Sequence, residues 1–270
     1  MRMILDAAVV SDTGRVRQNN EDNFYLRGMI RQVLTQGHTE ERHKGSASQA
    51  LFAGADGMGG EENGELASLV TVQALKPCGL DEVRDTALDC IGQANRMICE
   101  EIADRGGRRM GSTLAALYID RGNAVCCNVG DSRVYLMRDG ELKQLSEDHT
   151  KVQQMVRMGA LTPEQARTHK SRHILMQNIG IFEDEMVIEP YFSREIKLKK
   201  GDVFLLCSDG LTDMLDDGEI EALLTEGDCE GQAKALVEQA LKNGGRDNVT
   251  VMVVQVRGGF GVTLKQFSCM

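Results

Sequence analysis

Proline is scarce in this chain, 3 of 270 residues, and its 29 glycines follow no glycine-x-y period, which excludes a collagen-like fibre. No apolar run approaches the ~18 residues that would span a bilayer. Nor is there a secretory leader, because the opening MRMILDAAVV meets Asp6 before an apolar region can form. These absences predict a cytoplasmic protein that engages no membrane. Lysine and arginine never gather in clusters of five or six, and 31 of them stand against 41 Asp plus Glu, a formal net charge of −10. A chain so balanced repels nucleic acid, and no nucleic-acid partner is expected. No Cys-x-x-Cys pair occurs among the 8 cysteines. Cys99, Cys126, Cys127 and Cys207 sit in apolar runs and read as small buried hydrophobes in a reducing compartment. The five histidines (His38, His43, His149, His169, His173) all lie outside those runs, which disfavours a cysteine nucleophile.

What is present is the composition of an ordinary globular chain, 41% hydrophobic and 27% charged. Short apolar β-type runs cover Ile4–Val10, Leu51–Ala55, Thr113–Ile119, Ala124–Val129, Val134–Met137, Val203–Cys207 and Val249–Val256. In VYLMRDGELKQL, Asp139-Gly140 suits the two central positions of a tight primed hairpin turn. Consecutive hairpin-like strands argue for antiparallel sheets. Between Leu80 and Arg105, Val83, Ala87, Ile91, Ala94, Met97, Ile98 and Ile102 recur at helical spacing, with Asp81 as the expected cap. Further helices are expected over Glu61–Leu75 and Glu230–Lys242, the latter stopped by Gly244-Gly245. Thr162-Pro163-Glu164-Gln165 reads as another helix start. With no linker and no repeat, the chain reads as one α+β domain over 1–258 with a tail over 259–270. Two polar or basic stretches, Gln32–Gln49 and Gly159–Ile181, read as loops or excursions.

The informative pattern is where acids fall relative to strands. LFAGADGMGG puts Asp56 and Gly57 just after an apolar run, with four glycines between Gly54 and Gly60. LLCSDG repeats this at Asp209, VCCNVGDSR at Asp131, and GRDNVTVMVV sets Asp247 just before a strand. DTGRVRQNNEDNF adds Glu21-Asp22. One Asp-Gly after a strand is an ordinary turn. Several such ends converging would repel unless cations neutralise them. Carboxylates and carbonyls suit hard ions such as Mg²⁺ or Mn²⁺. Glycine beside Asp56 lets the Gly57 carbonyl approach an ion. A pair of such ions activates water for in-line attack at phosphorus, and a phosphoryl group then needs a cationic fork, for which Arg17 is the candidate.

SDTGRVRQNNEDNF, DGMGG, GST, VGDSRVY, SEDHT, SDGLTD and GGRDNVTV occur in this order between Ser11 and Val251. The set resembles the metal-dependent serine/threonine protein phosphatases of type 2C, the bacterial stand-alone members in particular. The resemblance covers nearly the whole chain. It implies a sandwich of two antiparallel β-sheets flanked by α-helices on both sides, with two Mn²⁺ or Mg²⁺ ions at one end. Asp56 would bridge both ions with the Gly57 carbonyl, Asp209 and Asp247 would hold one, and Glu21 and Asp22 would act through bound waters. Asp131 with Asp209 would take a third, weaker ion, and Arg17 would clamp the phosphate. A metal-activated water would then hydrolyse phosphoserine and phosphothreonine in phosphorylated proteins, with no covalent intermediate, opposing a cognate serine/threonine kinase. Residues 159–181 correspond to a variable flap, whose Arg167, His169, Lys170, Arg172 and His173 would meet substrate.

Two departures stand out. Met58 occupies a position where many eukaryotic relatives carry a histidine resembling a general acid, and a thioether donates no proton; His149 in SEDHT is a weak substitute. The 32–49 connection is long and polar. Rival readings are a phosphoprotein-binding pseudophosphatase, a carboxylate-rich Ca²⁺ module lacking the usual loop spacing, and a regulatory phosphatase acting on an anti-sigma-factor antagonist. Oligomeric state leaves no trace, so a monomer is the default.

Overall fold

The seven apolar runs all form strands in the computed structural model, which describes residues 2–33, 36–59 and 63–260. In chain order the first elements are β1 (Arg2–Asp12), β2 (Asn23–Leu26), β3 (His38–Ala47), β4 (Gln49–Ala55), β5 (Gly57–Met58), α1 (Gly64–Ala74) and α2 (Val83–Asp104). Next come β6 (Gly111–Ser112), β7 (Leu114–Asp120), β8 (Asn123–Val129), β9 (Arg133–Arg138), β10 (Glu141–Gln144), α3 (Lys151–Arg157) and α4 (Pro163–Thr168). The last are β11 (Tyr191–Phe192), β12 (Ile196–Lys197), β13 (Val203–Cys207), α5 (Asp209–Thr212), α6 (Asp217–Leu224), α7 (Cys229–Lys242) and β14 (Val249–Phe260).

One sheet runs β10-β9-β13-β14-β1-β3; the other runs β11-β8-β7-β4-β2, with β12 also on β8, and a two-stranded ribbon pairs β5 with β6. Every pairing within them is antiparallel. Leu5, Ala7 and Val9 face Phe24, Phe52 and Leu117 between the sheets. The alternate residues Ala8, Val10, Val251 and Val253 pack outward on Leu236, Val237 and Ala240 of α7. On the far side Leu51, Ala53, Ala116 and Tyr118 pack on α1 and α2. Strands buried on both faces read as continuous apolar runs, which is why they stood out. The result is an α+β sandwich of two antiparallel sheets with helices on both sides.

Several details differ from expectation. Residues 38–47 form a ten-residue edge strand, not a loop, pairing with β1 from Met3↔Ala47 to Asp12↔His38. Its charged side chains suit an exposed edge. They also reach inward, since Arg42 donates from Nε and Nη2 to the carboxylate of Asp6, itself 1% exposed. Asp81 does not cap α2. The cap position is Glu82 at φ 50 with no side-chain cap bond, while Asp81 accepts from Gln49 and Arg121. Cys78 and Cys90 form a disulfide joining the end of the α1 segment to α2, and Cys126, Cys127 and Cys207 are buried thiols.

Other local readings hold. Asp139 and Gly140 take φ 54 and 87, as a primed turn requires. Thr162 and Gln165 form a reciprocal capping box on α4. α1 starts at Gly64, and the expected Glu61 start, like Gly60, lies outside the described residues, as does the 261–270 part of the expected tail. Among the described residues no helix is long and apolar enough to cross a membrane.

Candidate metal centre

The sheet topology decides where the acids go. β1 ends at Asp12 opposite Val249, the start of β14, and Cys207 at the end of β13 pairs with Val251. β4 ends at Ala55, and β7 begins at Leu114 opposite Val129 at the end of β8. The residues just beyond these termini therefore share one end of the sandwich. There a cavity of about 730 Å³ is lined by Arg17, Glu21, Asp56, Gly57, Met58, Asp131, Asp209, Asp213 and Asp247, among others. Six of the acids are spread over more than two hundred positions of chain and meet in one cleft. Asp22, buried at 0% exposure, lies behind the lining.

Local hydrogen bonds set each side chain. Asp56 is pinned by its backbone: its N–H donates to Thr113 Oγ1 at 3.0 Å, and its carbonyl accepts from the Thr113 N–H at 2.8 Å. Ser208 Oγ donates to Asp22 Oδ2 at 2.7 Å. Asn248 staples the N-terminal loop to the start of β14: its Nδ2 donates to the Thr13 and Asn19 carbonyls, and its Oδ1 accepts from the Glu21 N–H at 2.8 Å. The buried Arg31 donates to the carbonyls of Asn20 and Asp22. Glycine is obligatory at two contacts. A Cβ on Gly57 would lie 2.0 Å from the Gly64 carbonyl oxygen, and one on Gly210 would lie 1.9 Å from that of Asn248.

Packing this many carboxylates together disfavours their charged forms. Burial raises Asp22 to about 6, with the Asp247 carboxylate adding to the rise against hydrogen bonds from Ser208 and Thr250. Burial and the neighbouring Glu65 raise Glu21 to about 7. Burial and Asp148 raise Asp131 to about 7 against the lowering pull of Arg133. Asp56 and Asp209 are raised well above the ordinary carboxylate range by burial and by surrounding acids. Asp22 Oδ1 and Asp209 Oδ1 are buried with no hydrogen-bond partner. Unpartnered buried carboxylate oxygens among neighbouring acids form an oxygen donor set that fits hard divalent cations.

Arg17 reaches across the cleft, its Nη2 donating to Asp247 Oδ2 at 2.7 Å, and its side chain is 53% exposed. Of the flap residues, Arg172 and His173 line the cavity. Arg167 lines an adjoining space of about 490 Å³, His169 accepts from the Ser171 N–H at 3.1 Å, and Lys170 is exposed. His149 does not line the cleft. Its Nδ1 accepts from the Gly130 N–H at 3.3 Å, and burial lowers its pKa, so it serves as a structural pin. The sequence reading assigned no role to Asn248, Arg31, Thr113 or Asp213. For Thr113, Asn248 and Asp213 a signal existed, since all three fall inside the quoted motifs; Arg31 had none.

Comparison with known proteins identifies the family. The protein phosphatase 2C family matches residues 38–243. The chain is 37% identical over 261 residues to the serine/threonine protein phosphatase PstP of Mycobacterium tuberculosis, covering 94% of this chain but 45% of that protein. It thus spans about half the length of that relative. It is 34% identical over 262 residues to protein phosphatase PhpP of Streptococcus pneumoniae, covering 93% of this chain and 98% of that one. A crystal structure of the catalytic domain of PstP in complex with two manganese ions superposes with a TM-score of 0.77 at 34% identity, covering 94% and 99% of the two chains. The chain belongs to the protein phosphatase 2C family.

Proposed function

We propose that this chain is a protein-serine/threonine phosphatase that hydrolyses phosphoserine and phosphothreonine in phosphorylated proteins. In this reading Asp56, the Gly57 carbonyl, Asp209, Asp247, Glu21 and Asp22 would hold a pair of Mn²⁺ or Mg²⁺ ions, Glu21 and Asp22 acting through water, and Asp131 with Asp209 would take a third, weaker ion. The observation that carries it is the convergence of Glu21, Asp56, Asp131, Asp209 and Asp247 in one cleft, where Asp209 Oδ1 is buried without a partner, with the equally unpartnered Asp22 Oδ1 directly behind the lining. Two ions in such a site lower the pKa of water and neutralise phosphoryl charge.

The remaining work belongs to the chain. The Arg17 guanidinium has donors left over from its bond to Asp247 and faces the cleft, where it grips and orients the phosphoryl oxygens. Asn248 and Arg31 hold the 13–22 loop, so that Glu21 and Asp22 are presented in a fixed arrangement without reorganisation. Met58 lines the cleft and has no proton to give, so it shapes the pocket beside the leaving oxygen. A substrate made by phosphoryl transfer to serine or threonine defines the opposing enzyme as a serine/threonine kinase.

The test is turnover of a phosphothreonine peptide and of an aryl phosphate. Both are expected to proceed with Mn²⁺, stop with chelator and fall at least about a hundredfold in Asp56→Ala, the scale for losing one preorganised electrostatic group. Turnover that survives the chelator and the substitution overturns the assignment.

A further inference from the structure

One cluster on the cleft is not explained by the ligands assigned so far. His173, within the flap, has its Nδ1 3.9 Å from Asp209 Oδ2 and its Nε2 3.5 Å from Asp213 Oδ2. One ligand atom from each of the three residues can be chosen so that all lie within 4.8 Å of one another. Donors around one ion at about 2.1 Å stand roughly 3–3.5 Å apart, so small side-chain rotations bring His173 Nδ1 and Asp209 onto one cation while Asp213 stays beside the other ring nitrogen. The backbone fixes the histidine where it is. The Lys151 N–H donates to the Ile174 carbonyl at 2.9 Å and the Met176 N–H to the His149 carbonyl at 2.7 Å, tying residues 174–176 to the start of α3. Asp209 and Asp213 are a helical turn apart, with the Asp213 N–H bonded to the Asp209 carbonyl at 2.8 Å. The two carboxylates thus flank the ring on rigid backbone.

The two ring nitrogens face different acids, and this divides the labour. An imidazole ligates through one nitrogen, and its other N–H is commonly held by a carboxylate that fixes the tautomer and ring plane. Here Nδ1 faces Asp209, whose Oδ1 is buried without a partner, and Nε2 faces Asp213.

Resting on the phosphatase reading, we propose that His173 is a flap-borne ligand of the third, weaker ion at Asp209, with Asp213 orienting its ring. This has two consequences. A nitrogen donor makes the third position favour Mn²⁺ or Zn²⁺ over Mg²⁺, which prefers oxygen ligands. Filling it also ties the flap to α5 across the mouth of the cleft.

The test uses Mn²⁺ and Mg²⁺ alone, with binding and proteolysis as readouts. Titrating the wild-type chain with Mn²⁺, followed by the paramagnetic signal of free ion, is expected to show two tight sites and one weaker. His173→Ala weakens the third about ten- to a hundredfold and leaves the tight pair unchanged; Asp213→Asn, which keeps the shape, weakens it about tenfold. In Mg²⁺ the His173→Ala chain titrates as wild type. Tryptic cleavage after Arg167 and Lys170 slows when Mn²⁺ fills the weak site in wild type but not in His173→Ala. A wild-type chain with only two Mn²⁺ sites, or a His173→Ala chain that keeps the third unaltered, overturns this proposal alone. A wild-type chain with no tight Mn²⁺ site overturns the phosphatase reading and this proposal with it. A ring that merely forms an ion pair with the two acids would leave the third site untouched by His173→Ala.

Discussion

Arg17 is bound to Asp247, one of the acids proposed to hold an ion, so in the phosphatase reading it would bear on both substrate and metal. Removing it strips the phosphate of a charge-assisted fork and frees Asp247 from a competing cation. Arg17→Ala is therefore expected to lower kcat/KM for a phosphothreonine peptide about ten- to a hundredfold, the scale of a hydrogen bond to a charged group. Arg17→Lys recovers little, because an ammonium cannot fork. Mn²⁺ affinity, measured by titration, should hold or tighten up to about fivefold in Arg17→Ala, because the pair given up is exposed and worth at most about 1 kcal/mol. A fall in Mn²⁺ affinity would instead make Arg17 a structural brace for the site. The acids themselves were legible in the sequence, because Asp-Gly after an apolar run is a local pattern. The motif GGRDNVTV marked Asn248 but not its task, because its bonds to Thr13, Asn19 and Glu21 cross more than two hundred residues and exist only once β1 and β14 are paired.

At the scale of elements, legibility followed burial. Strands buried on both faces were visible as apolar runs, and helices with one apolar stripe as a three-and-four spacing. β3 escaped because most of its side chains are polar and face water, with only Thr39 and Ala47 buried, so no alternation of apolar residues marks it. The Cys78–Cys90 bridge escaped because pairing depends on how α1 packs on α2, which spacing does not reveal. It closes a loop with a sequence separation of 12 and involves none of the residues lining the acidic cleft. Chain entropy then gives it about 3 kcal/mol of stabilisation. Reduction, or Cys78→Ser, is expected to shift the urea midpoint down by up to that equivalent while leaving Mn²⁺ binding at the cleft intact. A loss of Mn²⁺ binding on reduction would mean that α1, whose Gly64 packs against Glu21 and Gly57, transmits the change to the site.

For the whole molecule, the acidic end makes stability depend on pH in a direction opposite to ordinary acid denaturation. Without metal, Glu21 and Asp131 are raised to about 7 and Asp22 to about 6, chiefly by burial. Between the ordinary carboxylate values near 4 and these folded values, the native chain binds more protons than the unfolded one. The cluster's contribution is present in full below pH ~4 and is lost as pH rises through about 7. One pKa unit is about 1.4 kcal/mol, so Asp22 and Asp131, moved by roughly two to three units, each cost on the order of 3–4 kcal/mol over this window, and the partly exposed Glu21 less because solvent screens it. His149 works the other way: its pKa is lowered by burial, so its contribution is present above pH ~6.5 and is lost as pH falls. Because His149 stands off the cleft, a comparison with and without metal cancels it. The difference in melting temperature between Mn²⁺-loaded and chelator-treated chain is therefore expected to widen steadily from pH 5 to pH 8, since only deprotonated carboxylates bind the ions. A difference that stays constant across that range would mean that these acids are not the ones that hold the metal.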